Sequence, residues 1–323
     1  MLQRCKGLPL AIKVLAGLLA RKDTVDEWNT VHKNVYEYIR RGTDLGPDYK
    51  GEGYEGVSWV LELSYDNLPY YLKPCFLYLA HFLEDYEIPV STLTKLWMAE
   101  GFISSASVEV MEDVSYMCLS ELVGRCMVQV GKQGSNKKIK TCHLHDLMRD
   151  LCMLKAKEGN LLHIINYSAD VEIKQTPNGR VRRLAIYLDK KVDIYGLGKD
   201  ENYGHVRSLL FSASMYFMNS KVLQSPLKNF TLLRVLKFEG IRSGVFKLPH
   251  EIGNLVHLRF LSVKDSNFHT LPSSIANLAS SDLDDFVKLT NLRKLGVNIF
   301  DGGDKKEKGT NIIFKHLHSL SVG

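Results

Sequence analysis

The sequence predicts a multidomain chain: a mostly α-helical first half that ends in a short β-hairpin, followed by an α/β repeat solenoid. Three observations carry that prediction. Up to about residue 160 apolar residues recur at helical spacing, with one pair of strand-like runs late in the segment. From Arg180 onward an apolar residue is followed by apolar residues three and five positions on, six times over. Those six units start 25, 27, 25, 34 and 25 residues apart, a register that unrelated strands would not keep. The 323 residues, 45% hydrophobic and 24% charged, suffice for about two domains and exclude disorder, collagen and small disulfide scaffolds.

The first helix is expected over residues 8–20, where Leu8, Ile12, Leu15 and Leu19 share a face and little of the surface is polar. A second over 26–39 places Trp28, Val31, Val35 and Tyr38 on one side. Residues 42–56 read as a linker, with five glycines and one proline. They contain Gly51-Glu-Gly53-Tyr-Glu-Gly56, formally a dinucleotide fingerprint. No buried strand delivers the chain into it, so the match has no mechanism and is rejected.

Further helices are expected at 57–65, 70–82, 91–100 and 108–124. Strands follow at 126–130 and 139–143, joined by the turn 131–138, and a last helix runs from His145 to Lys157. Several helices and then a two-stranded hairpin is the order of a winged-helix domain. A DNA-reading helix should offer Arg, Lys, Asn or Gln to base edges and phosphates. Residues 91–100 offer only Lys95 and hydroxyls, while Leu93, Leu96 and Trp97 call for burial. Lys132, Lys137, Lys138 and Lys140 could touch a nucleic-acid backbone, yet four lysines on a solvated turn read first as a soluble surface. Nucleic acid is therefore not the expected partner.

The six repeat units are Val181/Leu184/Ile186, Val206/Leu209/Phe211, Leu233/Leu236/Phe238, Leu258/Leu261/Val263, Leu292/Leu295/Val297 and Leu317/Leu320/Val322. Their spacing is the leucine-rich-repeat signature, each unit supplying one short strand to a horseshoe. Two share a second half, Leu248-Pro249-x-x-Ile252-x-x-Leu255 and Leu271-Pro272-x-x-Ile275-x-x-Leu278. The interval of 34 contains the polar run Ala279–Asp285, either a nine-residue insertion or two shortened repeats, and stacking should be weakest there. The last strand is followed by no polar cap, which predicts a truncated C-terminus.

Side chains alternate along a strand, so residues flanking the buried positions face the concave side. Arg183, Tyr187, Lys237, Glu239, Phe260, Lys264, Lys294 and Asn298 are expected there, a mixed surface suited to a protein ligand. The basic excess lies in this part: residues 181–323 carry 21 basic and 13 acidic groups. Six cysteines without a C-x-x-C pair read as buried, reduced thiols. The apolar stretches 11–20 and 75–82 are about half the length needed to cross a bilayer, and no signal peptide precedes them. A soluble cytoplasmic protein without a membrane span is expected.

Three motifs in order make a specific resemblance. Cys5-Lys-Gly7-Leu8-Pro9-Leu10-Ala11 opens the chain, Leu63-Ser-Tyr-Asp-Asn-Leu-Pro69 and Cys75-Phe-Leu-Tyr-Leu79 follow, and Leu144-His145-Asp146-Leu-Met-Arg-Asp-Leu-Cys152 closes the helical half. The chain resembles plant NB-ARC leucine-rich-repeat disease-resistance proteins of the coiled-coil class. That resemblance implies a remnant of the NB-ARC helical subdomain over 1–45, a winged helix over 46–160 and a linker over 161–180. About six irregular, uncapped repeats over 181–323 complete the chain.

In such receptors the domains close around ADP and open on exchange for ATP. The resemblance implies that Gly7, Leu8, Pro9 and Leu10 lie beside the adenine, a role a proline suits because it leaves no N–H unpaired against a flat base. It implies that His145 reaches the β-phosphate and that Asp146 caps the start of the last helix. Leu144 stands where the family has Met, and Leu83 where it has Pro, which loosens that turn. The sequence has no G-x-x-x-x-G-K-[ST] phosphate loop and no coiled coil, so the isolated chain is expected to bind no nucleotide. Cys142, His143, His145 and Cys152 lack the paired spacing of a zinc site, and no nucleophile with a paired base points to an enzyme. The resemblance implies a regulatory and recognition part of an immune receptor, sensing a pathogen protein or a modified host protein. Nucleotide-binding and coiled-coil domains outside this sequence would be further partners. A winged-helix DNA-binding regulator with a protein-interaction tail is the alternative.

Overall fold

The computed structural model describes residues 5, 7–41, 58–103, 108–159, 161–167, 181–188, 204–213, 227–240, 248–266, 272–274, 294–299 and 320–322. Its contacts divide the chain into two units, Met1–Glu158 and Gly159–Gly323. The expected boundary at residue 45 and the 42–56 linker lie outside the described residues.

The first unit opens with α1 (Pro9–Leu19) and α2 (Val25–Arg41). Pro9 occupies the first helical position, where its missing N–H has no intrahelical acceptor and its fixed φ suits the helix. The buried face of α1 is Ala11, Val14, Leu15, Gly17 and Leu18, and Ile12, expected inside, is exposed. An almost wholly apolar helix has no period to choose its face, and Gly17 chooses it instead. A Cβ there would sit 2.7 Å from the carbonyl carbon and oxygen of Arg125, so the backbones approach where only glycine fits.

A capping box starts α2. The Thr24 hydroxyl accepts from the Glu27 N–H at 3.2 Å, and the Glu27 carboxylate accepts from the Thr24 N–H at 3.2 Å. Val31 and Val35 are buried as expected, whereas Trp28 stays half-exposed and donates its indole N–H to the Lys22 carbonyl at 3.1 Å.

Next come α3 (Ser58–Asp66) and α4 (Leu72–Tyr78), which tightens into one 3₁₀ turn at Leu79–His81. The helix expected over 70–82 is thus shorter, and Pro74 is tolerated because it falls in the first turn. Then follow β1 (Ile88–Pro89), α5 (Val90–Glu100), α6 (Val108–Gly124), β2 (Gln129–Val130), β3 (Thr141–His143) and α7 (Asp146–Glu158). The sheet has three strands, not two, in the order β1-β3-β2, all antiparallel. Strand β1 escaped detection because it is two residues long and half proline, a composition confined to sheet edges. Helix α5 turns Leu93, Leu96, Trp97 and Met98 into the core, where Trp97, Tyr78 and Phe76 are fully buried.

In the second unit seven strands form one sheet in the order β10-β9-β8-β7-β6-β5-β4. They are β4 (Leu162–Tyr167), β5 (Arg183–Leu188), β6 (Ser208–Ala213), β7 (Val235–Glu239), β8 (Phe260–Ser266), β9 (Lys294–Ile299) and β10 (Leu320–Val322). Every pair is parallel, and the repeat positions fall in register: Leu184, Leu209, Leu236, Leu261, Leu295 and Leu320 make one row. Those of the row whose burial is described are fully buried, Leu184 through Leu261. Each such side chain removed from water contributes about 1.5–3 kcal/mol.

Two expectations change here. Residues 161–180 are not wholly a linker, because Leu162–Tyr167 pair in parallel with β5 as a seventh strand. In this strand His163 stands opposite Leu184, and only Ile165, opposite Ile186, keeps the repeat's apolar pattern. The period is broken at two of the three positions that identify a repeat, Asn160 and His163. The interval of 34 is also decided: β8 pairs directly with β9, so it is one enlarged repeat rather than two shortened ones. A register shift between Val263 and Ser266 marks that joint. Residues 275–293, including the polar run 279–285, lie outside the described residues.

Within the described repeats a main-chain ladder holds the strand entries. The Arg182 carbonyl accepts from Arg207 and Ser208, the Arg207 carbonyl from Arg234 and Val235, and the Arg234 carbonyl from Arg259 and Phe260, at 2.6–3.3 Å. The second half read at 248–255 forms a 3₁₀ turn over His250–Asn254, with Leu248, Ile252 and Leu255 buried beneath it.

Candidate functional site

Two sites were expected: a nucleotide-facing pair of motifs in the first unit and the open face of the sheet in the second. Gly7 has φ 74°, a left-handed conformation, and is exposed with open space where a Cβ would project. Pro9 is exposed too, and Leu8 and Leu10 are half-buried. Together they leave a small apolar surface at the start of α1 against which a flat base can lie.

His145 precedes α7. Its Nδ1 accepts the Leu147 N–H at 3.3 Å, and its carbonyl accepts the Arg149 N–H at 2.8 Å. With Nδ1 accepting, the neutral ring carries its proton on Nε2, which makes Nε2–H a donor suited to a phosphate oxygen. The cap of α7 is thus supplied in part by the His145 ring, and Asp146, exposed in the first turn, adds a carboxylate near the helix N-terminus. Among the described residues no hydrogen bond or ion pair joins Gly7–Leu10 to His145–Asp146. Helix α3 packs on both α1 and α7.

These residues suit a base and one phosphate contact. A cradle of backbone N–H groups with a lysine, which a diphosphate or triphosphate needs, is not encoded in this sequence.

Cys142, His143 and Cys152, weighed as metal ligands, have separate engagements. Cys142 is buried in β3, His143 Nε2 lies 3.2 Å from Gln129 Oε1, and the Cys152 thiol donates to the Phe76 carbonyl at 3.1 Å. Burial pushes the Cys142 thiol up to about 12, and the Cys152 thiol up as well. Among the described residues no group of three or more His, Cys, Asp or Glu could hold a metal ion. No helix there is long and apolar enough to cross a membrane.

The open face of the sheet differs from expectation. Arg183, Lys237 and Phe260 are buried, at 8%, 6% and 4% exposure. Tyr187, Glu239 and Lys264 are half-buried and form the accessible row with Ser212, their register neighbour. Strands about 4.8 Å apart explain this, since a side chain between two register neighbours is shielded on both sides. Lys237 lies between Leu210 and Ser262 and turns toward Glu239. Its Nζ is 2.6 Å from Glu239 Oε2, and Lys264 Nζ is 3.1 Å from Oε1. Burial alone would raise the Glu239 carboxyl, but the charge and hydrogen bond of Lys237, then those of Lys264, hold it below the usual range. Lys294 and Asn298 are on β9, and their side chains lie outside the described residues.

The sequence reading missed a polar hub in the first unit. Glu121 accepts from Arg125 Nη2 at 2.8 Å and from the Tyr71 hydroxyl at 2.9 Å, with Arg21 at 3.9 Å. It ties α1, the start of α4 and α6 together. The Glu121/Arg125 spacing of four residues was a readable signal, whereas Tyr71 and Arg21 come from afar with none.

Comparison with known proteins gives two family matches. The disease resistance protein winged helix domain covers residues 82–152, and a leucine-rich repeat region covers residues 205–283. In Arabidopsis thaliana, the probable disease resistance RPP8-like protein 2 is 39% identical over 281 residues, 86% of this chain and 30% of that protein. Disease resistance RPP8-like protein 3 is 40% identical over 283 residues, with the same two coverages, 86% and 30%. Disease resistance protein RPP8 is 39% identical over 282 residues, again 86% of this chain and 30% of that protein. The chain therefore spans 30% of the length of these relatives.

Proposed function

We propose that this chain, which carries a resistance-type winged helix domain and a leucine-rich repeat region and is similar over most of its length to RPP8-like disease resistance proteins, is the regulatory and recognition part of a cytoplasmic immune receptor of the plant nucleotide-binding leucine-rich-repeat family. The observation that carries this reading is the order of the two matched regions, a resistance-type winged helix followed by leucine-rich repeats, on one chain. The repeats bind a pathogen protein or a modified host protein. The winged helix passes that event to nucleotide-binding and coiled-coil domains that this sequence does not contain. In this reading the chain is not an enzyme. His145 and the Gly7–Leu10 segment meet ADP only when a phosphate loop is supplied by such a domain.

Support for this division comes from the site itself, which offers a base surface and one imidazole donor but no phosphate cradle. Titration of the purified chain with ADP in a calorimeter is expected to give no measurable binding, and tight binding would overturn this part of the reading. Co-expression in leaves with the nucleotide-binding portion of an RPP8-like relative tests the rest. Co-precipitation and a change in defence cell death are expected, and failure of both would count against the receptor reading.

The DNA-binding alternative is disfavoured by α5, whose apolar residues are turned inward. It is disfavoured also by the wing, where Lys132 pairs with Glu87 at 3.2 Å and Lys138 lies over the Tyr116 ring at 5.0 Å. Salt-dependent binding to duplex DNA would reverse this judgement.

A further inference from the structure

The first unit holds a cavity of about 520 Å³ to which the receptor reading gives no task. Three elements wall it: the start of α5, the first half of α6 and the turn between β2 and β3. Its volume falls within the range of about 300–1,000 Å³ usual for small-molecule sites.

Hydrogen bonds between these elements fix the walls. The Val90 N–H at the start of α5 donates to the Lys140 carbonyl at 2.9 Å, and the Ile139 N–H donates to the Tyr116 hydroxyl of α6 at 2.9 Å. Within the turn, the Asn136 side-chain oxygen accepts from the Lys138 N–H at 3.1 Å. All six of these residues line the cavity.

Charge is sorted by wall. Lys95 comes from α5, and Lys138 and Lys140 come from the turn, whereas Glu112 and Asp113 come from α6. The start of α5 adds to the positive side, because Pro89 gives it no side-chain cap and its first turn holds no acid. The Lys138 ammonium is held 5.0 Å from the centre of the Tyr116 ring. Lys140 crosses the turn at Gly134, where a Cβ would sit 3.1 Å from the lysine Cε, so the glycine leaves room for the lysine stem. Among the described residues Lys95, Lys140, Glu112 and Asp113 form no ion pair. Both signs are therefore open to a ligand. A bare polyanion meets the α6 carboxylates and a bare cation meets the lysines, so one wall repels each of them. A molecule that carries both signs is opposed by neither.

We propose that this cavity binds a small zwitterion, its anionic group held by Lys95, Lys138 and Lys140 and its cationic group by Glu112 and Asp113. A short peptide with free ends and a phosphorylated amine share that chemistry.

The test is titration of the isotope-labelled full chain in low-salt buffer, followed by amide chemical shifts, with trialanine, its N-acetyl form and its C-terminal amide. Trialanine is expected to shift the amides of residues 90–95, 112–116 and 136–140. Each blocked form should bind about fivefold more weakly, which is the loss of one exposed ion pair. Lys95→Gln with Lys140→Gln should lower the affinity for trialanine to that of its amide, and Glu112→Gln with Asp113→Asn to that of its acetyl form. Lys140, Glu112 and Asp113 are exposed and Lys95 is half-buried, so these substitutions leave the core intact. O-Phosphoethanolamine distinguishes the two sources: tighter binding than trialanine would support the site and assign a phosphate as its anion. The inference is overturned if neither zwitterion shifts these amides, if the blocked forms bind as well as trialanine, or if both double variants bind it unchanged.

Discussion

The two units are built on different principles. The repeat sheet uses one contact many times: a leucine row, an aromatic or β-branched row, and a carbonyl ladder that passes from Arg182 to Arg207 to Arg234. The helical unit uses many contacts once, among them Gly17 against the Arg125 backbone, Arg149 Nε on the Phe82 carbonyl at 3.0 Å, and Glu121 among three partners. A repeat damaged at one step loses neighbours on either side, whereas a helical unit damaged at one contact loses a relation that nothing else encodes.

The largest effect is expected where repetition is interrupted at its centre. Phe238 is fully buried in β7, with its ring centroid 6.0 Å from that of Phe211. Phe238→Ala should cost about 3–5 kcal/mol. If the comparison holds, hydrogen exchange will speed up in β6, β7 and β8 while α3 to α7 keep their protection. Loss of protection across both units would show that the chain does not melt in these two parts.

This difference also explains what could be read in advance. A period of about 25 residues exposes strands β5 to β10 because every unit repeats the same test of the pattern. Strand β4 failed that test because Asn160 and His163 stand where the other units carry apolar residues, and the His163 Nε2 is a buried polar atom without a partner. In the helical unit, the α5, α6 and α7 segments were legible from apolar spacing. The face of α1 was not, since a glycine's role depends on what lies opposite it. The open face shows the same limit: alternation put Lys237 and Arg183 among the residues flanking the buried row, but both are buried between their register neighbours. For the nucleotide motifs, sequence supplied the residues, and the structure added that the His145 ring spends Nδ1 on the Leu147 N–H.

A middle-sized effect tests the single-contact principle. Gly17→Ala adds one methyl group, yet it would meet backbone atoms at 2.7 Å, which cannot swing aside as a side chain can. The expected cost is about 2–3 kcal/mol, although alanine favours the helix itself. Denaturant melting should show the loss. The control Gly7→Ala meets no atom within 4 Å and is strained only by its φ of 74°, at a cost of about 1 kcal/mol. Equal costs at both positions would remove the close approach as the reason for the α1 face.

The smallest effect concerns Glu121 and depends on pH. Burial raises its carboxyl, but hydrogen bonds from Arg125 and Tyr71 and the charges of Arg125 and Arg21 outweigh that and hold it below its ordinary value of 4.5. A carboxyl lowered by folding stabilises the native state at pH values above its unfolded pKa, and that contribution disappears as pH falls through the folded pKa. Glu121→Gln keeps the shape and one acceptor but removes the charge, so at pH 7 it should cost about 1 kcal/mol, since the group is partly screened by solvent. Measured against the wild type in denaturant melts, the gap should narrow below pH 4.5 and close at the acid end. A gap that stays constant with pH would mean that Glu121 acts as a spacer between helices rather than as the charge that Arg21, Tyr71 and Arg125 share.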